Sequence, residues 1–457
     1  MRVLLLNPPA RGIVIRDYYC SKSTKSNYLF QPIDLLMQSG ILARSHELLA
    51  LDAVARRLPR DQCLNEIERL KPEAILGLWG AVTNREDEEF YSRLAERVKV
   101  PVFISGEIFL DEPESWLRAH PQISGALLRF VSEGLLQYLD SGAPGPDLLV
   151  SRDGGLRGGL DPGPPREFSL GRPRHELFGY QGYRFSFARG KKFATTLTDF
   201  GCPFKCGFCV MAGLGYRTRP VEEVALEWRW LKEQGLTELF LTDQCFGASR
   251  ARALLLCETL ARKTPGMGFT TFTRADLLDA ELLAAMKEAG CHTVIMGVES
   301  ADPAILSAHH KGLSLERAEE GFALCRERGV RTVATFILGL PEDTAATIRA
   351  TMRLARRLAP DFVSYNVAVP RAGTGLKKVA AAEGLADPGV DPDQAGDIVA
   401  MRTRALSREE VALLKKQAIR DFYLRPGYLW RRTVSVRSLT ELTAEAREGL
   451  ALILKNL

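Results

Sequence analysis

The chain has 457 residues, nearly half of them apolar and about a quarter charged, with a formal net charge of +5. That length exceeds one compact core and predicts two or three domains, and the apolar share excludes a disordered chain. Lys and Arg are scattered rather than blocked, so charge makes no case for nucleic acid. No apolar run reaches the roughly 20 residues of a membrane span. The opening MRVLLLNPP is too short for a signal peptide, so a cytoplasmic protein is expected.

Residues 2–6 read as a buried strand, and 47–51, 74–78, 102–104 and 125–130 as further ones. Helical patterns lie between most of them, at 52–58, 62–70 and 86–98. Strands alternating with helices imply a parallel sheet covered on both faces. Residues 1–140 are therefore expected to form a small doubly wound, Rossmann-like α/β domain. The irregular segment 11–31 follows the first strand, at an edge where such sheets bind ligands. Its Tyr18, Tyr19, Cys20, Lys22, Lys25 and Tyr28 serve either a cofactor or substrate, or a packing lid. Residues 141–187, rich in Gly and Pro, read as a linker with room for a small hairpin.

The alternation then restarts and is more regular. Strand patterns at 194–198, 238–241, 268–272, 293–296, 332–338 and 362–366 are separated by helical ones at 221–234, 250–263, 280–289, 315–328 and 344–358. Six such units predict a partial (β/α)6 TIM-like barrel over residues 188–385, with its site at the C-terminal ends of the strands. Residues 386–457 are expected as a helical C-terminal extension. Its basic-aromatic stretch around Tyr428 and Trp430 either packs with snorkelling arginines or meets an apolar substrate.

Nine cysteines, an odd number spread along the chain, do not suggest a disulfide framework. Cys202, Cys206 and Cys209 form CxxxCxxC directly after the first barrel strand. Thiolates favour zinc or iron–sulfur clusters. Zinc sites usually add a second CxxC or a His pair, and none follows here. Three thiolates leave one iron of a cubane without a protein ligand, open to a small chelating molecule.

This motif at this place resembles the radical S-adenosylmethionine (SAM) superfamily. The resemblance implies a [4Fe–4S] cluster on the three cysteines, SAM at the open iron, and cleavage of SAM to methionine and a 5′-deoxyadenosyl radical. It also implies a reducing partner such as flavodoxin or ferredoxin. Phe208 resembles the aromatic whose backbone meets the adenine, with core packing as the alternative. Leu241-Thr242-Asp243 resembles the strand-end segment near the SAM amino group, though Asp243 also suits a helix cap. Arg274 either faces the same mouth or lies on the surface. Gly297-Val298-Glu299-Ser300, followed by Lys311-Gly312, resembles the family's G-x-E-S and K-G. Glu299 would then be a polar SAM contact and Lys311 a partner of the SAM carboxylate, with a structural salt bridge as the plainer reading. Gly339 opens a Gly–Pro turn suited to a close ligand.

A doubly wound domain, a linker and then this barrel resembles the cobalamin-binding-domain class of the superfamily. Thr83 and Gly106, at strand ends of the first domain, would on that resemblance bind cobalamin. The D-x-H-x-x-G segment whose His ligates cobalt is absent. Cobalamin would bind without a protein ligand to cobalt, or the domain binds nothing. The class implies a cobalamin-dependent methyltransferase acting on an unactivated carbon of a small molecule or lipid. The alternative is an oxidoreductase or cyclase without methyl transfer. Nucleic acid is not expected as a partner, because the tRNA-modifying branch needs a second cluster site upstream, and only Cys20 and Cys63 precede Cys202.

Overall fold

The structure, a computed structural model, describes residues 1–435 except 20, 25–27, 153, 162, 164–166, 191, 388, 392, 394, 396 and 397. Cys20, Lys25 and the last part of the expected C-terminal extension therefore lie outside the described residues. The chain divides into two compact units. The first holds Met1–Thr24, Leu29–Tyr183 and Arg217–Glu227; the second is built mainly from Arg184–Tyr216 and the chain from Trp228 onward.

The first unit contains β1 (Arg2–Asn7), β2 (Val14–Ile15), β3 (Lys22–Ser23), β4 (Glu47–Asp52), β5 (Ala74–Leu78), β6 (Val102–Ser105), β7 (Gly125–Leu127), β8 (Leu148–Arg152) and β9 (Gly155–Gly159). Its main sheet runs β4-β1-β5-β6-β7 in parallel, then adds β8 and β9 antiparallel. A strand covered on both faces reads as an unbroken apolar run, and Val3, Leu4, Leu5 and Leu6 of the central β1 are all fully buried. The stretch 141–187 thus contributes a sheet edge, β8 and β9, to this unit.

Two local expectations fail here. The expected helix at 52–58 is absent: Asp52 ends β4 and residues 53–57 form turns. The buried Asp52 carboxylate accepts the Ala55 N–H at 2.8 Å, the Asn7 amide at 3.0 Å and the Tyr183 hydroxyl at 2.8 Å, and Arg57 takes φ 51°. These side-chain bonds to the backbone compete with helix formation. Conversely, Ile33–Leu42 is a helix without a polar face, since all ten of its residues are buried. A helix buried all round shows no amphipathic period.

Asp34, in the first turn of that helix, accepts the Ser105 hydroxyl at 2.6 Å and the Tyr18 N–H at 3.4 Å. Burial, and after it the Asp17 carboxylate, push its pKa up to about 8. The folded state thus favours the neutral acid. Stability from this group is complete below the ordinary carboxyl value near 3.8 and is lost as pH rises towards about 8. We expect the melting temperature to fall by several degrees across that window, and Asp34→Asn to flatten the fall. Parallel melting curves for the two proteins would refute the assignment.

The second unit begins with β10 (Ala194–Thr196) and β11 (Asp199–Gly201); in sequence, β12 (Tyr216–Thr218) follows the cysteine loop, with only Tyr216 of it in this unit. Then come β13 (Glu238–Leu241), β14 (Gly268–Thr273), β15 (Cys291–Glu299), β16 (Arg331–Leu338) and β17 (Phe362–Val367). The main sheet is all parallel and strictly in chain order, β10-β13-β14-β15-β16-β17, open between its two ends as a partial barrel must be. Helices such as Arg250–Lys263, Leu315–Glu327 and Ala345–Leu358 join successive strands.

Beyond the barrel, Arg408–Tyr423 and Pro426–Ser435 are helical. Tyr423 donates its hydroxyl to Val363 O at 2.6 Å, and Tyr428 to Asp361 O at 2.9 Å. The basic-aromatic stretch therefore anchors against β17 through its tyrosines, which is the packing alternative. No described helix is long and apolar enough to cross a membrane.

Candidate metal centre and strand-end clefts

The loop from Cys202 to Cys209 leaves the end of β11. Gly201 holds φ 79°, and a Cβ there would stand 1.9 Å from Gly215 O, so only glycine fits. Backbone bonds then fix the loop on several sides. Cys202 N–H donates to Gly215 O at 3.2 Å, Gly207 N–H to His309 O at 2.8 Å, and Leu376 N–H to Gly207 O at 2.9 Å. Phe208 is half-buried against Ile305, Leu340 and Leu376, its ring centroid 6.0 Å from that of His309. Its ring packs in the core, leaving its backbone in the loop.

Around this loop stand the cations. Lys311 Nζ donates to Glu299 Oε1 at 3.0 Å, and both side chains are buried. Burial opposes the Lys311 charge, but Glu299 and the Cys206 thiol outweigh it, and its pKa rises. Arg274 donates to Lys311 O at 2.8 Å and Gly312 O at 3.2 Å, pairs with Asp276, and lies 4.1 Å from the Phe204 ring centroid. It therefore braces the cysteine loop against the segment that carries Lys311, rather than lying on the surface. The fields of Arg274 and Lys311 act on Cys202 and Cys206, and that of Lys311 on Cys209. Burial pushes Cys209 up to about 12 and Cys206 upward, while a hydrogen bond with Cys245 holds Cys202 down.

Among the described residues no three His, Cys, Asp or Glu side chains stand ready as a metal-binding set. The fit to a cluster rests instead on donor chemistry: three thiols on one pinned loop, beside two buried cations that favour thiolate.

Glu299 is placed by an unusual backbone. The β15–β16 register shifts between Gly297 and Glu299, and Glu299 adopts φ 71°, a region non-glycine residues rarely enter. The bulge re-aims the side chain at Lys311. A Cβ on Gly297 would lie 2.1 Å from Glu299 Oε1 and 3.0 Å from Lys311 Nζ.

Other expected contacts are engaged elsewhere. Asp243 is fully buried and accepts the N–H groups of Thr198 at 2.6 Å and Asp199 at 3.0 Å, plus the Thr198 hydroxyl. It shapes the approach to the cysteine loop and does not reach into the mouth. Gly339 N–H donates to Asp343 Oδ2 at 2.9 Å, and a Cβ there would meet Val411 Cγ1 at 2.9 Å, so that glycine admits a helix side chain. Sequence reading passed over Cys245 and His309. The first is a single cysteine, and the second only shows its role once its carbonyl is seen holding the cysteine loop.

In the first unit, β1 and β5 diverge to opposite neighbours, which makes the crevice at their C-terminal ends the topological switch point. Arg16, from the turn after β2, fills it. Its guanidinium bonds Asn7 Oδ1 at 3.0 Å, Pro8 O at 2.7 Å and Pro9 O at 3.1 Å on one side. On the other it bonds Thr83 Oγ1 at 3.2 Å and Asp87 at 2.7 and 3.0 Å. Thr83 also donates to Asp87 at 2.6 Å. Gly106 accommodates Trp79 O, which a Cβ would approach to 2.1 Å. Ser21 binds Glu107, and the Tyr18 hydroxyl reaches Leu128 O. A cavity beside Arg16 and Asp17 holds about 10 Å³, space for one water. Thr83 and Gly106 thus serve the chain's own packing at these strand ends, and Tyr18 and Tyr19 are buried.

Residues 198–355 match the family model of the radical SAM superfamily. Over nearly its whole length the chain is similar to the uncharacterised methyltransferase PH0819 of Pyrococcus horikoshii, at 26% identity over 94% of each chain. It is also similar to the anaerobic magnesium-protoporphyrin IX monomethyl ester cyclase of Rubrivivax gelatinosus, 31% identical over 37% of this chain and 32% of that one. Its fold resembles the radical SAM methyltransferase TsrM of Kitasatospora setae, solved with cobalamin and a [4Fe–4S] cluster. The TM-score is 0.65 at 21% identity, covering 85% of this chain and 76% of that one. The chain is an enzyme that carries a radical SAM domain at residues 198–355, the segment that holds the three cysteines, Glu299 and Lys311.

Proposed function

We propose that this protein is a radical SAM methyltransferase acting on an unactivated carbon of a small molecule or lipid, with cobalamin as the methyl carrier. The observation that carries the radical SAM part is the pinned cysteine loop, whose Phe204 ring lies against Arg274, while Arg274 also binds the carbonyl of Lys311, the partner of Glu299. Likeness in length to PH0819 and in fold to TsrM supports methyl transfer. When bound, a [4Fe–4S] cluster supplies the electron that cleaves SAM to methionine and the 5′-deoxyadenosyl radical.

In this reading Cys202, Cys206 and Cys209 hold three irons. Lys311 faces the SAM carboxylate, Glu299 accepts hydrogen bonds from SAM, and the Phe208 backbone meets the adenine. Arg274 keeps the loop and Lys311 in register. Residues 1–140 are the cobalamin-binding-like part and 188–385 the barrel. Cobalamin is proposed for the first unit from the domain order and from the likeness in fold to TsrM. A flavodoxin or ferredoxin is the proposed reductant. Ring closure without methyl transfer is the second reading, favoured by the identity to the cyclase.

Anaerobic purification with cobalamin supplied, followed by absorption spectroscopy and product analysis, tests both parts. No iron–sulfur absorption after reconstitution would refute the radical SAM site. 5′-Deoxyadenosine without S-adenosylhomocysteine, on the true substrate, would favour the second reading. Lys311→Met should weaken SAM binding at least about tenfold, the worth of one charge-assisted hydrogen bond, with iron content unchanged. Unaltered SAM affinity would remove Lys311 from the site.

A further inference from the structure

The basic-aromatic helix Pro426–Ser435 has two faces, and its anchoring to the barrel uses only one. Tyr428, Arg431 and Arg432 share a face by their i, i+3, i+4 spacing, and all three bind inward. Tyr428 donates to Asp361 O, Arg431 to Pro360 O at 3.0 Å and Ala359 O at 3.3 Å, and Arg432 pairs with the Asp361 carboxylate at 3.3 Å. Leu429 and Trp430 turn away from these contacts and are 48% and 73% exposed. Leu424, at the end of the preceding helix, is 44% exposed. A tryptophan so placed leaves a large apolar ring in water and adds little to the stability of the chain.

Cations border these three side chains. Arg425 lies over the Phe422 ring at 4.6 Å, and that ring packs 5.1 Å from Tyr428. Arg420 is exposed one turn before Leu424. On the neighbouring helix Ala345–Leu358, Arg349, Arg353 and Arg356 recur at i, i+4 and i+7 and are exposed, away from the buried Ile348, Met352 and Ala355. The nearby acids are taken: Asp421 by Arg356 at 3.1 Å, and Asp361 by Arg432. The face is therefore apolar at one end and positively charged around it.

We infer that this face docks on an anionic lipid membrane, with Trp430, Leu429 and Leu424 entering the headgroup region and the arginines meeting lipid phosphates. Charge complementarity selects an anionic occupant. The apolar trio selects a membrane over an acidic protein, because indole rings partition to the headgroup boundary while arginines beside them keep their charge in water. The inference goes beyond the reading of the barrel site and does not depend on it.

The test is co-sedimentation of the full-length protein with vesicles of phosphatidylcholine alone, or with about 30% phosphatidylglycerol added. Wild type should pellet with the anionic vesicles, bind the neutral ones at least about tenfold less, and be released as salt is raised. Trp430→Ala should weaken binding several-fold, and Arg349→Glu/Arg353→Glu at least about tenfold. These side chains are exposed, so both variants should keep the wild-type melting temperature. Failure of wild type to bind anionic vesicles would overturn the inference. So would full binding by Trp430→Ala, which would leave a charged surface suited to an acidic protein. A dimer seen by light scattering and abolished in Trp430→Ala would overturn it as well, by making a second copy of the chain the occupant.

Discussion

Replacing Cys206 or Cys209 by alanine should abolish the iron–sulfur absorption and reduce SAM cleavage at least about a thousandfold, some 4 kcal/mol of lost transition-state stabilisation. The loss follows from the rigidity of the loop. Gly207 is bonded on both its N–H and its carbonyl, to His309 and Leu376, and Cys209 N–H closes onto Cys206 O at 3.0 Å. With the backbone fixed this way, the loop cannot shift to bring another donor under a vacated iron. Cys202→Ala should lose SAM cleavage equally. Iron assay and 5′-deoxyadenosine production read both effects, and turnover surviving in Cys206→Ala would refute the ligand set.

Arg16→Met should destabilise the first unit by about 3–5 kcal/mol, the usual cost of removing one partner of a buried ion pair. For a unit of this size that lowers its melting temperature by about 10 °C. Arg16 and Asp87 side chains are 1% and 0% exposed, and the guanidinium also satisfies the carbonyls of Pro8 and Pro9. Burial already pushes the Asp87 carboxyl above its ordinary value, with Arg16 opposing. Without Arg16 the acid therefore takes up a proton, which holds the loss towards the lower figure near neutral pH. Arg16→Met/Asp87→Leu should recover part of the stability, since an apolar pair leaves no buried charge. Calorimetry of the single and double variants checks both statements. A single variant within about 1 kcal/mol of wild type would show the pair to be incidental.

Both sheets were readable from the sequence because parallel strands buried on both faces announce themselves as apolar runs, as in Val3–Leu6 and in the core of β15. The fully buried helix Ile33–Leu42 had no such signature, since nothing in its pattern marks an outer face. The turns after Asp52 were misread as helix because the deciding partners, Asn7 and Tyr183, come from distant positions. The cysteine motif was legible by spacing alone. Asp243, Thr83, Gly106 and Gly339 were placed near strand ends, and the structure adds internal partners for each that the sequence did not announce. A strand-end residue looks the same in sequence whether it turns outward to a ligand or inward to a loop. In the first unit that difference is set by Arg16, about seventy residues before Asp87.

The bulge at Glu299 also constrains how this site can change over generations. Gly297 leaves the space that the Glu299 carboxylate occupies, and Lys311 neutralises that carboxylate in its buried position. Any side chain at 297 displaces the acid, and loss of 311 strands it without a counter-charge. Substitutions at these three positions are therefore strongly non-additive. A lineage carrying this fold inherits them as one unit, and a library varied at one position alone will recover almost nothing but the residue it started from.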